Sequence, residues 1–490
     1  IANDSLDSIT TNTYDQRGQL IDQTDALGFH KTHQYNAFGE VIAIAQQKTD
    51  KSGYIAPTTL QYDHRGNLIK KLDFNLGYFS NRTEYDAFGR VTARYDANGS
   101  SQKVAYDDLG RVVTQWDGAG RASSTTYDAF NRVLTQTDAI GTGVTTYSYN
   151  TQDRSFTITS AEGVSHTTKK SRFGETLKLR VGEANETTYQ YDKNGQLLSV
   201  TDALGTQSAQ DYNRDGQLTR SVDAMGTVTL VEYDAAERVL SRTYDPSGLN
   251  LKTSYSYDAL GRVLTVTDPR GVVTATEYDK KGQIISVTAD KGGANLLTRY
   301  FYDSRGNRIL TRDAAGRDLT TSFSEAHFDQ STKVTPFTGE ELFSYINMDG
   351  AGNRINVTTM ANRNGSLYRP QTLRYAYNAN NQVIYTLDNE GGVTNYVYDK
   401  DQRLVRTTQY AANSNLLSGN PDWWTTFSAA AIAGSVSASA NDQITRTVYD
   451  KDGRVFANID AAGMVTVNQR FDGEGRVLER VTYSKPINTS

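Results

Sequence analysis

The chain has 490 residues, 37% of them hydrophobic, with 31 Tyr, 40 Gly and no Cys, so disulfides and thiol catalysis are excluded. Lys and Arg number 51 against 56 Asp and Glu, and the two signs are interspersed. This balance does not indicate a nucleic-acid partner. No stretch approaches the roughly 18 apolar residues of a transmembrane helix, so no membrane span is predicted.

The first predicted element is a short repeat of Tyr, then Asp or Asn, two variable residues and Gly. One full copy reads Tyr257-Asp258-Ala259-Leu260-Gly261-Arg262-Val263, and the next begins 21 residues later at Tyr278. Clear copies begin at Tyr14, Tyr35, Tyr62, Tyr85, Tyr106, Tyr191, Tyr212, Tyr257, Tyr278, Tyr302 and Tyr449, with looser copies at Tyr127, Tyr149, Tyr233, Tyr377, Tyr398 and Phe471. Such periodicity is typical of repeat architectures.

A second turn signal lies between successive copies, as in Asp202-Ala203-Leu204-Gly205. Asp at the first position and Gly at the fourth are the preferences of a type I turn. Runs of about six residues rich in Val and Thr separate the two turns, and these residues favour strands. Each unit is therefore predicted to be one β-hairpin, and the whole chain to hold about forty strands.

About forty strands exceed the ~10 that an open twisted sheet normally tolerates. Propeller blades, a stacked solenoid and one long wound sheet remain as solutions. A propeller blade has a period near 40 residues and WD or kelch signatures, which are absent here. A period of 21 residues with two strands favours a continuous wound ribbon.

The pattern Tyr-Asp-x-x-Gly-Arg-Val/Leu followed by Thr-Asp-x-x-Gly resembles the YD repeat of the RHS family, and the resemblance covers nearly the full chain. That family includes bacterial Rhs proteins, the C components of Tc toxin complexes and the YD shell of teneurins. The resemblance implies an all-β fold in which a long antiparallel ribbon of tandem hairpins is wound into a hollow spiral shell, a β-cocoon.

The same resemblance implies a function and a setting. In bacterial members the shell encloses a toxic C-terminal segment, so residues 1–490 are expected to be one shell segment of a longer protein. The expected partners are this toxin cargo and other toxin or secretion components outside the segment, and the expected location is secreted or at the bacterial cell surface. The alternative is an extracellular adhesion module in which the shell serves as a rigid scaffold.

Tyr and Arg are expected to hold the wall together. A Tyr ring packs on neighbouring side chains while its hydroxyl meets water or a partner. Many Arg residues follow the turn Gly, where an Arg can reach an Asp of an adjacent turn, and a turn-stabilising ladder of ion pairs is expected. Examples are Arg90, Arg111, Arg262, Arg454 and Arg476.

Three intervals depart from the regular spacing. Between Tyr149 and Tyr191, residues Arg172-Phe173-Gly174-Glu175 supply the missing turn, so the ribbon is predicted to continue. Between Tyr302 and Tyr377, extended hairpin strands or a loop are expected. The third and clearest departure is an insertion at residues 410–443.

The insertion contains a predicted turn at Asn420–Asp422 and a predicted short helix from Thr425 to Ala433 that stops at Gly434. Trp423 and Trp424 form a pair between them. This pair either anchors the insertion on the shell, which we favour, or is a recognition site for a carbohydrate or a cell-surface partner.

No catalytic motif accompanies the repeats, so the chain is not expected to be an enzyme and no catalytic, cofactor-binding or metal-binding residues are assigned. His30 and His33 would point to opposite faces of a strand, which argues against a shared metal. Segments such as Asp192-Lys193-Asn194-Gly195 resemble the start of a calcium loop but lack the distant bidentate Glu.

Asp245-Pro246-Ser247-Gly248-Leu249 matches an Asp-Pro-x-Gly-Leu motif. In bacterial relatives, this motif belongs to a self-cleaving aspartyl-protease segment at the end of the shell. Here it lies in mid-chain, in the slot of a second turn, and Tyr257 starts a normal unit eight residues later. We therefore predict a hairpin turn, and no cleavage at Leu249.

Overall fold

The computed structural model describes residues 8–73, 80–139, 141, 143–182, 185–323, 330–335, 340–363, 366–367, 370–419, 422, 425–471 and 476–486. Nearly all regular structure in these residues is β-strand. The exceptions are a 3₁₀ helix at Asn415–Leu417 and one α-helix, α1, at Ala429–Gly434.

The strands are numbered in chain order. The first twenty are β1 Thr11–Tyr14, β2 Leu20–Thr24, β3 His30–Tyr35, β4 Val41–Gln46, β5 Thr58–Tyr62, β6 Leu68–Asp73, β7 Ser80–Tyr85, β8 Val91–Tyr95, β9 Ser101–Tyr106, β10 Val112–Trp116, β11 Ala122–Tyr127, β12 Val133–Thr137, β13 Val144–Asn150, β14 Ser155–Thr159, β15 Ser165–Lys170, β16 Thr176–Val181, β17 Asn185–Tyr191, β18 Leu197–Thr201, β19 Gln207–Tyr212 and β20 Leu218–Val222. The others are β21 Val228–Tyr233, β22 Val239–Tyr244, β23 Leu251–Tyr257, β24 Val263–Thr267, β25 Val273–Tyr278, β26 Ile284–Ala289, β27 Leu296–Tyr302, β28 Arg308–Arg312, β29 Asp318–Phe323, β30 Gln330–Thr335, β31 Glu340–Met348, β32 Arg354–Arg363, β33 Ser366–Leu367, β34 Gln371–Tyr377, β35 Val383–Leu387, β36 Val393–Tyr398, β37 Leu404–Gln409, β38 Gln443–Tyr449, β39 Val455–Ile459, β40 Val465–Phe471 and β41 Val477–Thr482.

These strands form one antiparallel ribbon in which neighbours in sequence are neighbours in the sheet. At β32 the order changes slightly, because its edge pairs first with the short β33 and then with β34. In a typical hairpin, β23 pairs with β24 through Tyr255↔Val266 and Ser256↔Thr265, and the register then shifts so that Tyr257 faces Val263. The shift is a β-bulge beside the turn, which strengthens the local twist.

The turn chemistry follows the sequence prediction. The Gly261 N–H donates to the Asp258 carbonyl at 3.0 Å, and Gly261 has φ +82°. Oδ1 of Asp258 accepts the N–H groups of Leu260 and Arg262, each at 2.9 Å. Because an L side chain is disfavoured at positive φ, Gly is the usual residue where the chain leaves the turn, although Asn131, Glu237, Asn381 and Gln402 take positive φ at the same position.

The first two irregular intervals are also accounted for. At the degenerate unit, Gly174 takes φ +98° and its N–H donates to Ser171, so Arg172–Glu175 form the expected turn. In the longer interval, β31 and β32 form an extended hairpin around the turn at Asp349. Residues 324–329 and 336–339 of this interval lie outside the described residues.

The ribbon winds back on itself. Asn98 donates to Asp349, 251 residues later, and Ser160 donates to Asp452, 292 residues later. Hydrogen bonds across intermediate separations join Thr49 to Ser304 and Asp96 to Asn381. One winding therefore takes between about 250 and 290 residues of ribbon, and the start of a second winding lies against the first.

The wall is one sheet thick. The accessible surface of the chain is 29059 Å², whereas a compact globule of this mass would expose about 18,000 Å². Many of the buried sheet positions carry small side chains, such as Ala93, Ser241 and Ser286. The predicted all-β, wound spiral ribbon is thus confirmed.

Candidate functional site

The Tyr of most repeats joins one hairpin to the hairpin before it. The Tyr278 hydroxyl donates to the carbonyl of Val263 at 2.9 Å, and Val263 is the residue that faces Tyr257 across the preceding bulge. The hydrogen-bond partner of the hydroxyl is therefore a backbone carbonyl of the wall itself. The same bond is made by Tyr35, Tyr62, Tyr85, Tyr106, Tyr127, Tyr149, Tyr212, Tyr233, Tyr257, Tyr302, Tyr377, Tyr398 and Tyr449.

The Arg after the turn Gly forms its ion pair with the Asp of its own turn, and it reaches the Asp of the adjacent turn through that residue's backbone carbonyl. Nε of Arg262 lies 2.6 Å from Oδ2 of Asp258, four residues earlier. The positive φ of the Gly turns the chain back so that this Arg faces its own Asp. Equivalent pairs are Arg90–Asp86, Arg111–Asp107, Arg121–Asp117, Arg132–Asp128, Arg238–Asp234, Arg317–Asp313, Arg403–Asp399 and Arg454–Asp450.

The same Arg also contacts the next hairpin. Nη1 of Arg262 donates to the Asp279 carbonyl at 3.1 Å, and its guanidinium lies 4.7 Å from the ring centre of Tyr278. The cation thus stacks on the aromatic ring that anchors the following unit. Hydrogen bonds from the side chain and backbone N–H of Arg238 hold the pKa of Asp234 below its usual value, so this carboxylate is ionised at neutral pH.

Two edges of the ribbon meet where the second winding lies on the first. We call the edge formed by the Tyr-Asp turns the tyrosine edge, and the edge formed by the turns between hairpins the connecting edge. Nζ of Lys281, on the tyrosine edge, lies 2.5 Å from Oδ2 of Asp25 on the connecting edge. Farther along this seam, Asn380 donates to Asp117 at 3.0 Å.

The end of the seam is acidic on both sides. Asp452 accepts the Ser160 hydroxyl and the Glu162 N–H, both at 2.8 Å. Oδ1 of Asp401 accepts the Ala139 N–H at 3.1 Å. Burial and the nearby Asp138 raise the pKa of Asp401. The seam is therefore built from polar tips and not from an apolar core.

The insertion rests on the sheet through one apolar cluster. Ile432 of α1 is fully buried against Leu387 and Val393, which are also fully buried. The Ser428 hydroxyl accepts the Ala431 N–H at 3.1 Å and caps the helix. The helix consequently begins at Ala429 and not at Thr425 as predicted, and it includes Gly434.

A buried cation lies beside this cluster. The Arg374 side chain is nearly inaccessible, its Nε donates to the Thr425 carbonyl at 2.9 Å, and its guanidinium lies 5.9 Å from the Phe427 ring centre. Burial lowers its pKa. This contact joins β34, which carries Arg374, to the segment that leads into α1.

Trp423 and Trp424 lie outside the described residues, as do Asn420 and Pro421 of the predicted turn. The described part of the insertion is held to the sheet by Ile432 and Arg374. The recognition role of the two Trp residues stays a prediction.

Neither His30 nor His33 lies in a metal-binding group. Nδ1 of His30 is 2.8 Å from Oδ2 of Asp22, and burial, followed by the charge of Lys31, lowers the pKa of His33. Within the described ranges there is no cluster of three or more His, Asp or Glu that could hold a metal ion. None of the helices in the described part of the chain has the length and hydropathy needed to cross a bilayer.

The Asp-Pro-x-Gly-Leu segment forms a hairpin turn, as predicted. The Asn250 N–H donates to the Asp245 carbonyl at 2.7 Å, and both residues have positive φ. The turn from Asp290 to Asn295 has the same bond, at 3.0 Å, and the same two positive φ angles. At Asp290 the positions of Pro246 and Leu249 are held by Lys291 and Ala294, so this turn geometry does not require the Pro and Leu of the motif. The absence of cleavage at Leu249 stays a prediction.

Comparisons with known proteins agree with the repeat. Residues 172–353 match the teneurin YD-shell family, and residues 85–122, 106–143 and 127–165 match the RHS repeat. No curated protein matches the chain in sequence.

Solved structures show the same fold. The crystal structure of TcdB2-TccC3-Cdc42 has a TM-score of 0.65 and 15% identity over 97% of this chain and 27% of that one. The Tc holotoxin pore of Photorhabdus luminescens has a TM-score of 0.63 and 15% identity over 94% of this chain and 26% of that one. The chain thus spans about a quarter of the length of these structures.

The wound hairpins, their Tyr-to-carbonyl bonds and the repeat matches define a YD-repeat β-shell. Residues 85–165 and 172–353 thus match models of the RHS repeat and of the teneurin YD-shell, and the solved structures that share this fold include TcdB2-TccC3 complexes.

Proposed function

We propose that this chain is a non-catalytic wall of a bacterial RHS-repeat toxin or secreted protein, and that the wall encloses a toxic C-terminal polypeptide. The observation that carries the proposal is the single-layer winding, whose 29059 Å² of accessible surface far exceeds that of a compact globule. A wall one sheet thick that winds back on itself separates an inside from an outside.

The polarity of the wall suits a cargo that must be released. Strands such as β11, Ala-Ser-Ser-Thr-Thr-Tyr, and β19, Gln-Ser-Ala-Gln-Asp-Tyr, carry small and polar residues on both faces. A polar wall binds an unfolded polypeptide weakly, whereas a strongly apolar wall would retain it. The function would then be exclusion of the cargo from its surroundings, without chemistry at the wall.

Contrast-variation scattering tests whether the chain encloses a void. A solid globule of 490 residues has a radius of gyration of about 23 Å. We expect a clearly larger radius and a pair-distance distribution with depleted short distances. A compact, uniformly dense profile would rule out the capsule.

We propose recognition through Trp423 and Trp424 as the second candidate function. It is supported by the insertion itself, which interrupts the repeat between β37 and β38 and is anchored separately by Ile432. Replacement of both Trp by Ala would abolish binding to a glycan array or to target-cell surfaces if the insertion is a recognition element. Trp116→Phe, in β10, is the control, and the capsule proposal expects no effect from either change.

A further inference from the structure

The insertion covers a charged residue of the sheet. Arg374 in β34 is 2% exposed, and within the described part of the chain its Nη1 has no hydrogen-bond partner. Its Nε donates to the Thr425 carbonyl at 2.9 Å, and its guanidinium lies 5.9 Å from the ring centre of Phe427. Among the described residues no Asp or Glu forms an ion pair with it, and burial alone lowers its pKa. A cation is therefore removed from water without a counter-charge, which is costly.

Elsewhere in the ribbon, Arg at this position is open to solvent. The position lies three residues before the repeat Tyr, and two other hairpins carry Arg82 and Arg299 there. Arg299, in β27, is exposed. Arg82, in β7, is also exposed, and its Nη2 lies 3.1 Å from Oε1 of Glu84. The hairpin thus needs no cover over this position, and the burial of Arg374 is a property of the insertion.

The covered face around Arg374 is polar. Asn356 is paired with Arg374 between β32 and β34, and Thr358 is paired with Thr372. Each of these four residues is at most 2% exposed. The hydroxyls of Thr358 and Thr372 lie 2.9 Å apart. An amide, two hydroxyls and a guanidinium on adjacent positions suit a polar, anionic ligand better than they suit the apolar side of a helix.

We propose that Arg374 is a concealed binding site for a carboxylate of an acidic polypeptide segment, and that the insertion closes this site in the structure. A guanidinium binds a carboxylate through two parallel N–H···O bonds. The Thr425 carbonyl accepts one N–H in place of such a ligand, while Nη1 lacks an acceptor. A carboxylate would supply both this acceptor and the counter-charge. The site does not depend on whether the wall encloses a cargo.

The ribbon does not rely on the insertion for its continuity. Gln409 and Gln443, which flank the insertion, are paired with each other at the end of the ladder between β37 and β38. Lifting the insertion therefore leaves this hairpin paired. A ligand that binds only the open state shifts the insertion towards that state, and its apparent affinity is reduced by the fraction of chains that are closed.

Fluorescence anisotropy with a fluorescein-labelled hexaglutamate peptide tests the site on the 490-residue chain. Ile432→Ala weakens the apolar contact that holds the insertion on the sheet. This variant is expected to bind the peptide at least about tenfold more tightly than the wild type, which must first open. Ile432→Ala/Arg374→Met is expected to lose the gain. Ile432→Ala/Arg299→Met removes an exposed Arg at the same position of another hairpin, so it is the matched control and should keep the gain.

A second opened variant does not rely on Ile432. Replacement of residues 410–442 by Asn-Gly joins Gln409 to Gln443 through a two-residue hairpin turn and leaves Arg374 uncovered. This variant should bind hexaglutamate more tightly than the wild type, and Arg374→Met in the same background should remove the binding. Circular dichroism verifies that all variants fold.

Three results would overturn the proposal. The first is that neither opened variant binds hexaglutamate more tightly than the wild type. The second is that a hexalysine peptide binds the opened variants equally well, because a guanidinium site selects for negative charge. The third is that Arg374→Met leaves binding to an opened variant unchanged, or reduces it no more than Arg299→Met does.

Discussion

Lys281 and Asp25 form an ion pair across the seam, with Nζ 2.5 Å from Oδ2, although 256 residues separate them in the chain. Both side chains are about one-fifth to one-quarter exposed. Burial opposes ionisation of Asp25, but the hydrogen bonds from Lys281 and from nearby backbone N–H groups outweigh it and lower the pKa. The pair therefore lies near the start of the seam between the two windings.

Breaking this pair should loosen the seam and leave the hairpins intact. Lys281→Met is expected to cost about 1 kcal/mol in seam stability, since one charge is left partly buried without its partner. Hydrogen exchange of residues 25–51 and 279–306 should accelerate. A double-mutant cycle with Asp25→Asn measures the coupling, and additivity of the two changes would contradict a direct interaction.

Removing one Tyr hydroxyl should weaken one hairpin junction. Tyr278→Phe deletes the donor to the Val263 carbonyl and is expected to cost about 0.5–1.5 kcal/mol of unfolding free energy. Tyr255→Phe, in strand β23 of the preceding hairpin, is the matched control, because that hydroxyl makes no described bond of this kind. Denaturant unfolding measures the loss of unfolding free energy in both variants. Equal losses would mean that the ring of Tyr278, and not its hydroxyl, stabilises the junction.

The turn carboxylates should make the shell sensitive to acid. Hydrogen bonds from Arg238 lower the pKa of Asp234, and the backbone N–H of Arg111, followed by its side chain, lowers that of Asp107. A depressed native pKa contributes stability that is complete above the ordinary Asp value of 3.8 and is lost as pH falls through the native value. Melting temperature should therefore fall steeply below about pH 4. A flat profile down to pH 2 would contradict this.

Asp401 should behave in the opposite way. Burial and Asp138 raise its pKa, so the fold gains stability from this group as pH falls, and loses it as pH rises through the raised pKa. Asp401→Asn keeps an acceptor for the Ala139 N–H and removes the repulsion, so it should stabilise the seam at pH 7 and lose this advantage near pH 3. Asp211→Asn, on an exposed strand position, is the control. Destabilisation by Asp401→Asn at pH 7 would show that its pair with Arg403 dominates instead.

The local repeat was predictable, and the long-range assembly was not. Asp258 and Gly261 specify their turn through contacts within five residues, so the sequence pattern predicts the turn directly. The partner of Lys281 is specified by how far the ribbon curves per hairpin, a small angle that accumulates over many units. No local pattern reports that angle.

Two details at the turns and the insertion have local physical causes. Arg262 forms its ion pair with Asp258 because the positive φ of Gly261 points the Arg back to its own turn, and it reaches the adjacent turn only through the Asp279 carbonyl. The helix begins at Ala429 and not at Thr425 because Ser428 is its N-cap. Both signals are short-range.

Ile432→Ala should detach the insertion while the ribbon survives. The substitution leaves a cavity at a fully buried site against Leu387 and Val393, and such changes cost about 2–5 kcal/mol. Because the cluster joins α1 to the sheet, the loss should be local to residues 410–443. Limited proteolysis should then cut the insertion first, with the rest of the chain protected. Ile285→Ala, at a partly exposed position of β26, is the control and should leave the digestion pattern unchanged.

The turn at Asp245 should not be a cleavage site. Its carboxylate accepts the Leu249 N–H at 2.7 Å and its carbonyl accepts the Asn250 N–H, so both groups already stabilise the turn. The equivalent turn at Asp290 has the same bonds without the Pro and Leu of the motif. Prolonged incubation at pH 5 and pH 7 should therefore leave the chain at 54.1 kDa by intact mass. Two fragments separated at Leu249, present in the wild type and absent from Asp245→Asn, would show that this segment is an active protease motif and not a turn.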